Sequence, residues 1–192
     1  MAMRRFAVLC LAVAAGSVSS PAGAAVTIIG GGLARECFLA AEFRHDRTMA
    51  LDVCNRALQT ESLKRRDRAA TLVNRGIIHM QARDIQRALA DYDTALAMMP
   101  DLAEAHVNRG IALLHKGGAD QEAIAALTRG LELRPMRPEV AYYTRAVAHE
   151  IMGDARAAFD DYQAAAAARP GWEDPIEQLK RFSVQRVPSA RG

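Results

Sequence analysis

The sequence lacks the short motifs that mark most catalytic and metal-binding sites. Its 192 residues include five histidines, and none lies four residues from a second metal ligand, the spacing that places two ligands on one helix face. Cys-x-x-Cys pairs and the Gly-x-Ser-x-Gly turn of many hydrolases are also missing. The sequence therefore predicts that the protein is not an enzyme and that it holds no metal or other cofactor.

A surplus of charge of one sign is missing as well. Lys and Arg together number 25, and Asp and Glu number 22. Two of the basic residues, Arg4 and Arg5, lie in a segment that we predict to be removed, and 25 − 2 leaves 23 basic against 22 acidic residues. A nearly neutral chain offers no electrostatic basis for binding nucleic acid or an anionic membrane. We therefore expect no nucleic-acid partner.

Residues 1–25 have the three parts of a secretory signal peptide: a basic start, an uninterrupted apolar run at 6–15, and a small-residue cleavage site that ends at Ala24. The apolar run is too short to anchor the chain across a bilayer. We predict cleavage after Ala24 or Ala25, with an uncleaved N-terminal helix as the alternative. The mature protein is then periplasmic or secreted, periplasmic in a Gram-negative source, and has no stable membrane anchor.

The stretch VTIIGGG at 26–32 is apolar and then rich in glycine. Three consecutive glycines lose too much backbone entropy to be favourable in a helix, so we predict a flexible lead-in. A phosphate-binding loop is the alternative, but no lysine follows the glycines at the spacing that such a loop needs.

The motif VNRGI at 73–77 returns unchanged at 107–111, a spacing of 34 residues, and again as YTRAV at 143–147. Repetition at this period is typical of stacked helical hairpins. Seven positions around each copy share residue types, with a large residue first, small residues between, and a final proline. They are Leu72, Gly76, His79, Ala88, Tyr92, Ala95 and Pro100 in the first unit, His106, Gly110, Leu113, Ala123, Leu127, Gly130 and Pro135 in the second, and Tyr142, Ala146, His149, Ala158, Tyr162, Ala165 and Pro170 in the third.

This pattern resembles the tetratricopeptide repeat (TPR) over residues 69–172. The resemblance implies an all-α protein, a right-handed α-α superhelix of helical hairpins. A degenerate first repeat precedes the clear ones, because ALDVCNRAL at 50–58 mirrors ALADYDTAL at 88–96. The TPR domain spans 33–182, with repeats at about 33–66, 69–102, 103–138 and 139–172, a capping helix at 173–182, and a disordered tail at 183–192.

Two cysteines, Cys37 and Cys54, remain after removal of the signal peptide. They lie about equally far from the polar turn at 44–47, on helices that face each other in the degenerate hairpin. Export allows a disulfide to persist, so we predict that these two residues are bonded. Two buried free thiols are the alternative.

In the proteins that this chain resembles, the first helix of each unit lines a concave face that binds peptides. The residues carried over by position are Val73, Asn74, Ile77, Val107, Asn108, Ile111, Tyr143, Thr144 and Val147. Asn74 and Asn108 are the best contact candidates, because an asparagine side chain bonds both the N–H and the C=O of an extended peptide. Apolar residues stand where the lysine-rich carboxylate clamp of some relatives would need charge, which argues against capture of a free peptide C-terminus.

Charged residues recur beside these positions. Arg75, Arg109 and Arg145 could grip a ligand carboxylate, but we favour inter-repeat ion pairs or packing along the aliphatic stems. Four aspartates flank two tyrosines, and the helical period predicts that they lie on a solvated outer face. They are Asp91, Asp93, Asp160 and Asp161.

The first functional hypothesis is an exported TPR scaffold that binds a protein or peptide of unknown identity in its concave groove. The alternative is an accessory structural subunit of a cell-envelope complex that contacts its neighbours through its convex face or its N-terminal lead-in.

Overall fold

The computed structural model of the protein describes residues 6–10, 24–27, 32–43 and 46–186. Within these ranges the chain forms nine α-helices and two short strands. In chain order they are β1 (Phe6–Cys10), α1 (Leu33–Phe43), α2 (Arg47–Thr60), α3 (Arg65–Gln81), α4 (Ile85–Met98), α5 (Ala103–Lys116), α6 (Asp120–Glu132), α7 (Pro138–Ile151), α8 (Ala155–Ala168), α9 (Glu173–Leu179) and β2 (Phe182–Arg186).

The helices pair as four consecutive hairpins, α1–α2, α3–α4, α5–α6 and α7–α8, and α9 packs on the last one. The second helix of each hairpin also contacts the first helix of the next, and the first helices contact one another in succession. One face of the array is therefore lined by α1, α3, α5 and α7. The all-α helical-repeat solenoid that the 34-residue period predicts is confirmed. None of the described helices is both long and apolar enough to cross a membrane.

Small residues let the two helices of a hairpin approach closely. A Cβ atom on Gly76 would lie 2.4 Å from Tyr92 Cε1, and one on Gly110 would lie 2.6 Å from Leu127 Cγ. Gly130 stands where the repeat usually has alanine, and the structure explains the departure. A Cβ atom there would lie 2.6 Å from Val107 Cγ2, far inside van der Waals contact.

The first hairpin is held by a disulfide between Cys37 and Cys54, with an S–S distance of 2.05 Å. Both cysteines are fully buried. The far end of the hairpin is held by Glu61, whose carboxylate accepts the first-turn amides of Leu33 at 2.6 Å and Ala34 at 3.1 Å. These amides have no partner within their own helix, so Glu61 supplies the acceptor that α1 needs to begin.

The C-terminal end differs from the sequence prediction. The capping helix ends at Leu179 instead of 182, and β2 pairs antiparallel with β1, with Phe6 opposite Arg186. A tail was predicted at 183–192 because that stretch has no periodicity of its own, whereas the strand is stabilised by a partner almost the whole chain away. Residues 187–192 lie outside the described residues, and so does most of the predicted signal peptide.

Candidate functional site

A short extended stretch of the chain lies against the face formed by the first helices. The Val26 amide donates to Asn74 Oδ1 at 2.8 Å, and the Val26 carbonyl accepts from Asn74 Nδ2 at 2.9 Å. The asparagine side chain thus bonds both main-chain groups of one residue, as a neighbouring β-strand would. Asn74 is fully buried beneath this segment, and these two bonds satisfy its amide there.

Asn108 contacts the same segment one unit further along the array, with a single hydrogen bond. Its Nδ2 group donates to the Ala24 carbonyl at 2.9 Å and to the Glu104 carbonyl of its own helix at 2.8 Å. The segment therefore runs from α5 towards α3, and the two asparagines hold it at every second residue. All of these bonds go to main-chain atoms, so the asparagines impose an extended backbone without reading a side chain.

Burial alternates along the same segment. Ala24 is 1% exposed and Val26 is 6% exposed, whereas Ala25 is half-buried and Thr27 is exposed. This period of two is that of an extended strand lying on a surface. Val26 belongs to the apolar cluster that also contains Val73 and Ile77. The segment at 26–32 was predicted to be a flexible lead-in, and its first residue instead makes these contacts.

The other predicted groove positions of the second unit pack against neighbouring helices. Of the second unit, Val107 is fully buried, packs against Gly130, and shares a cluster with Ile111 and Leu127. These positions contribute to the packing between helices. Asn108 is thus the residue of this unit that bonds the extended segment.

In the third unit the predicted positions are covered by the end of the array. The Tyr143 ring centroid lies 5.4 Å from that of Tyr162 and 4.9 Å from that of Trp172. Burial, followed by the nearby Asp174 carboxylate, raises the pKa of Tyr143. Thr144 donates its hydroxyl to a carbonyl of its own helix at 2.9 Å, and Val147 is half-buried in the same cluster.

Each of the three recurring arginines is paired with an aspartate. Arg75 binds Asp91 and Arg145 binds Asp161 within one hairpin, whereas Arg109 reaches back to Asp93 of the preceding hairpin at 2.7 Å. A solvated outer face was predicted for all four aspartates, and this is wrong for Asp91 and Asp161, which are buried in these pairs. These arginines therefore bind carboxylates of the protein itself, as the sequence favoured, and not those of a ligand.

The occupant of the groove was not foreseen from the sequence. Residues 24–27 were divided between the end of a signal peptide and a lead-in, and both assignments describe a segment without tertiary contacts. The available signal was weak: a run of small and β-branched residues, Ala-Ala-Val-Thr, that suits an extended conformation. Across the described part of the chain, acidic, histidine and cysteine side chains nowhere gather in threes as a metal site would require.

No protein-family model and no curated protein matches this sequence. Solved structures do match. The crystal structure of MamA is 20% identical, with a TM-score of 0.63 over 79% of this chain and 82% of that one. YrrB, described as a TPR protein with an unusual peptide-binding site, is 17% identical, with a TM-score of 0.60 over 76% and 71%. The first TPR of Spaghetti (RPAP3), bound to the HSP90 peptide SRMEEVD, is 18% identical, with a TM-score of 0.55 over 59% and 88%. The chain therefore has the fold of the tetratricopeptide-repeat proteins.

Proposed function

We propose that this protein is an exported scaffold that binds an extended segment of a protein partner in the groove lined by its first helices and catalyses no reaction. The observation that carries the proposal is the pair of hydrogen bonds between Asn74 and Val26, of 2.8 and 2.9 Å. An extended main chain fits this face, and the face supplies the matching donors and acceptors.

The groove is suited to binding because its contact residues lie on the regular helices α3 and α5. Asn108 is bonded to the Glu104 carbonyl of its own helix, and Arg75, the residue after Asn74, joins α3 to α4 through Asp91. Side chains that are already ordered lose little conformational entropy on binding.

The comparisons support a peptide ligand. YrrB is described by its peptide-binding site, and the RPAP3 domain was solved with an HSP90 peptide. In this chain the residues at the positions where a carboxylate clamp would need charge, Val73, Ile77 and Val107, are apolar and buried. A free C-terminal carboxylate would lose its hydration there without gaining a cation. We therefore propose that the partner presents an internal segment.

Export is part of the proposal and rests on two features. The N-terminal 25 residues have the order of a secretory signal peptide. The disulfide between Cys37 and Cys54 is of a kind that persists in oxidising compartments and is rare in the cytosol.

The test compares partner capture by three forms of the protein after cross-linking in envelope extract. The double variant Asn74→Ala, Asn108→Ala removes the main-chain contacts, and each lost contact is worth about 1–3 kcal/mol, roughly 5- to 150-fold in affinity. Asn55→Ala is the control, since Asn55 lies on α2 and accepts a hydrogen bond from Arg75 of α3, whereas the hydrogen bonds to the extended segment come from Asn74 and Asn108. We expect capture by the wild type and the control and none by the double variant, with equal helical circular dichroism. Equal capture by all three would show that the partner uses another face.

A further inference from the structure

The groove holds its own chain at two seats: Asn74 bonds both main-chain groups of one residue, and Asn108 bonds the main-chain carbonyl of the residue two positions earlier. At each seat an asparagine bonds the main chain, and the side chain of the same residue points into the protein. The seats hold Ala24 beside Asn108 and Val26 beside Asn74. The residues between and after them, Ala25 and Thr27, are half-buried and exposed.

Burial at the two seats limits the side chains that they can accept. Ala24 and Val26 leave at most 6% of their surface exposed, so the seats close around a methyl group and an isopropyl group. A charged side chain in either seat would be desolvated. The cations that follow the two asparagines in sequence, Arg75 and Arg109, are already bound to Asp91 and Asp93 and offer no compensation.

We infer that the partner segment is extended and uncharged, with small apolar side chains at alternate positions, and that it binds by displacing residues 24–27 of this chain. The inference rests on the proposed groove function and specifies its ligand. We expect the partner segment to bind as the chain's own segment does. The asparagines hold the main chain at every second residue, and the seats select the side chains of those residues only by size and polarity.

Displacement has a measurable consequence for affinity. A tethered segment competes at a high effective concentration, and the apparent affinity of an added peptide falls by the fraction of molecules whose groove is open. The predicted signal cleavage acts on the same equilibrium. Cleavage after Ala24 or Ala25 detaches the residue bonded by Asn108 and leaves Val26 beside Asn74, so in the exported form one seat is open and a partner displaces only what remains of residues 24–27.

The experiment measures binding of a fluorescent peptide with the sequence of residues 22–28, AGAAVTI, to the unprocessed full chain by polarisation. Val26→Asp places a charge in a buried seat and should expel the chain's own segment. Thr27→Asp places the same charge at the next residue, which is exposed, and is the matched control. We expect about tenfold tighter peptide binding to Val26→Asp than to the wild type, as an open fraction near one tenth implies, and no change with Thr27→Asp.

Two altered peptides test the ligand class. Aspartate at the positions of Ala24 and Val26 should weaken binding by about a hundredfold or more, because the seats exclude charge. An N-methyl group on the valine amide should weaken it by about tenfold, because Asn74 Oδ1 loses its donor. Equal binding of the aspartate peptide would overturn the inferred ligand class while leaving groove binding intact. Failure of every peptide on every folded chain would instead overturn the proposed function.

A second measurement covers the case in which Val26→Asp does not fold. Hydrogen exchange of the wild-type chain reports residues 24–27 directly, because the Val26 amide is protected by its bond to Asn74. Saturating AGAAVTI peptide should accelerate exchange of this segment, whereas the aspartate peptide should not. Unchanged exchange at saturation, or equal affinity of the wild type and both chain variants, would overturn displacement.

Discussion

The Arg75 guanidinium holds the Asp91 carboxylate through two hydrogen bonds, 2.9 Å from Nε to Oδ2 and 2.6 Å from Nη2 to Oδ1. Its third arm donates to Asn55 Oδ1 at 2.8 Å. One side chain thereby joins both helices of its hairpin to the preceding hairpin. Arg145 repeats the arrangement with Asp161 and Thr128, and the Asp161 hydrogen bond, the largest effect, raises the pKa of Arg145.

We expect Asp91→Ala to lower the free energy of unfolding by about 2–4 kcal/mol, because Arg75 would remain partly buried without its partner. Asp93→Ala is the matched control. Asp93 also binds an arginine, but its side chain is 59% exposed, and exposed pairs contribute about 0–1 kcal/mol. Urea unfolding followed by circular dichroism measures both. Equal losses would show that burial of the Arg75–Asp91 pair does not determine its strength.

The second prediction concerns His79, which is buried 3.9 Å from Asp91. Burial lowers the pKa of His79, with Asp91 and Asp84 opposing the shift and Arg75 and Arg87 adding to it. The unfolded chain therefore takes up a proton at higher pH than the folded chain does. As pH falls through about 6.5, the free energy of unfolding should fall by up to about 1.4 kcal/mol per pH unit; above that range this histidine has no effect.

His79→Gln should flatten this slope without removing it, because partial desolvation, followed by the Arg83 charge, also lowers the pKa of His115; His115 is exposed, so its contribution should be the smaller one. The measurement is a set of urea unfolding curves between pH 5.5 and 8 for the wild type, His79→Gln and His115→Gln. A wild-type slope that is unchanged in both variants would contradict the assignment.

The third prediction compares two equivalent turns. Arg83 and Gly153 each follow the first helix of a hairpin, each with an aspartate next that caps the second helix, and both have positive φ, 61° and 79°. The left-handed conformation costs a residue with a side chain about 1 kcal/mol or more and glycine almost nothing. Arg83→Gly should therefore raise the free energy of unfolding by about 0.5–1 kcal/mol after the entropy of the unfolded chain is counted.

Gly153→Arg is the reverse experiment and should destabilise the protein by a similar amount. A Cβ atom on Gly153 would meet nothing within 4 Å, so we attribute the expected cost to the backbone conformation. Both variants are best compared at pH 8, because Arg83 also lowers the pKa of His115. Opposite signs of the two effects are the expected result; two losses would indicate that Arg83 has a contact worth more than its strain.

The repeat was predictable because its signals are local. Gly76 is followed sixteen residues later by Tyr92, and this combination of a small and a large residue recurs in the later units. The structure places Gly76 and Tyr92 in direct contact. The ion pairs were harder to predict from the sequence. Asp91 and Asp93 lie two residues apart on one helix, and the helical period alone does not say which of them faces Arg75. Asp91 binds Arg75 of its own hairpin, whereas Asp93 binds Arg109 of the next one. In that next hairpin the position equivalent to Asp91 is Ala126, so Arg109 has no aspartate there to bind.

Of the candidate site, the sequence predicted the groove residues but not the segment that lies against them. Asn74 and Asn108 were predicted as contact residues from their repeat position and from the ability of an asparagine side chain to bond both main-chain groups of an extended peptide. Val26 lies 48 residues before Asn74, and Ala24 lies 84 residues before Asn108. Separations of this size are beyond any periodic pattern. β2 was missed for the same reason, because strand pairing between 6–10 and 182–186 joins opposite ends of the chain.

The last prediction concerns the disulfide between Cys37 and Cys54, which closes a loop with a sequence separation of 17. Closing such a loop removes conformations from the unfolded chain and should contribute about 3 kcal/mol in the chain-entropy model. Reduction should therefore lower the urea midpoint, and its effect should be concentrated in the first hairpin, where hydrogen exchange of α1 would rise most. Loosening α1 should also weaken the groove, because α1 packs on the α3 helix that carries Asn74.

The clean measurement uses a Cys10→Ser background, so that any thiol signal comes from the two paired cysteines. Unfolded protein from a non-reduced preparation should show no free thiol, and reduction should release two. The double variant Cys37→Ala, Cys54→Ala should match the reduced protein in stability and remain indifferent to reductant, because its buried positions stay apolar. Two reactive thiols before reduction would show that the hairpin is held by packing and by Glu61 alone.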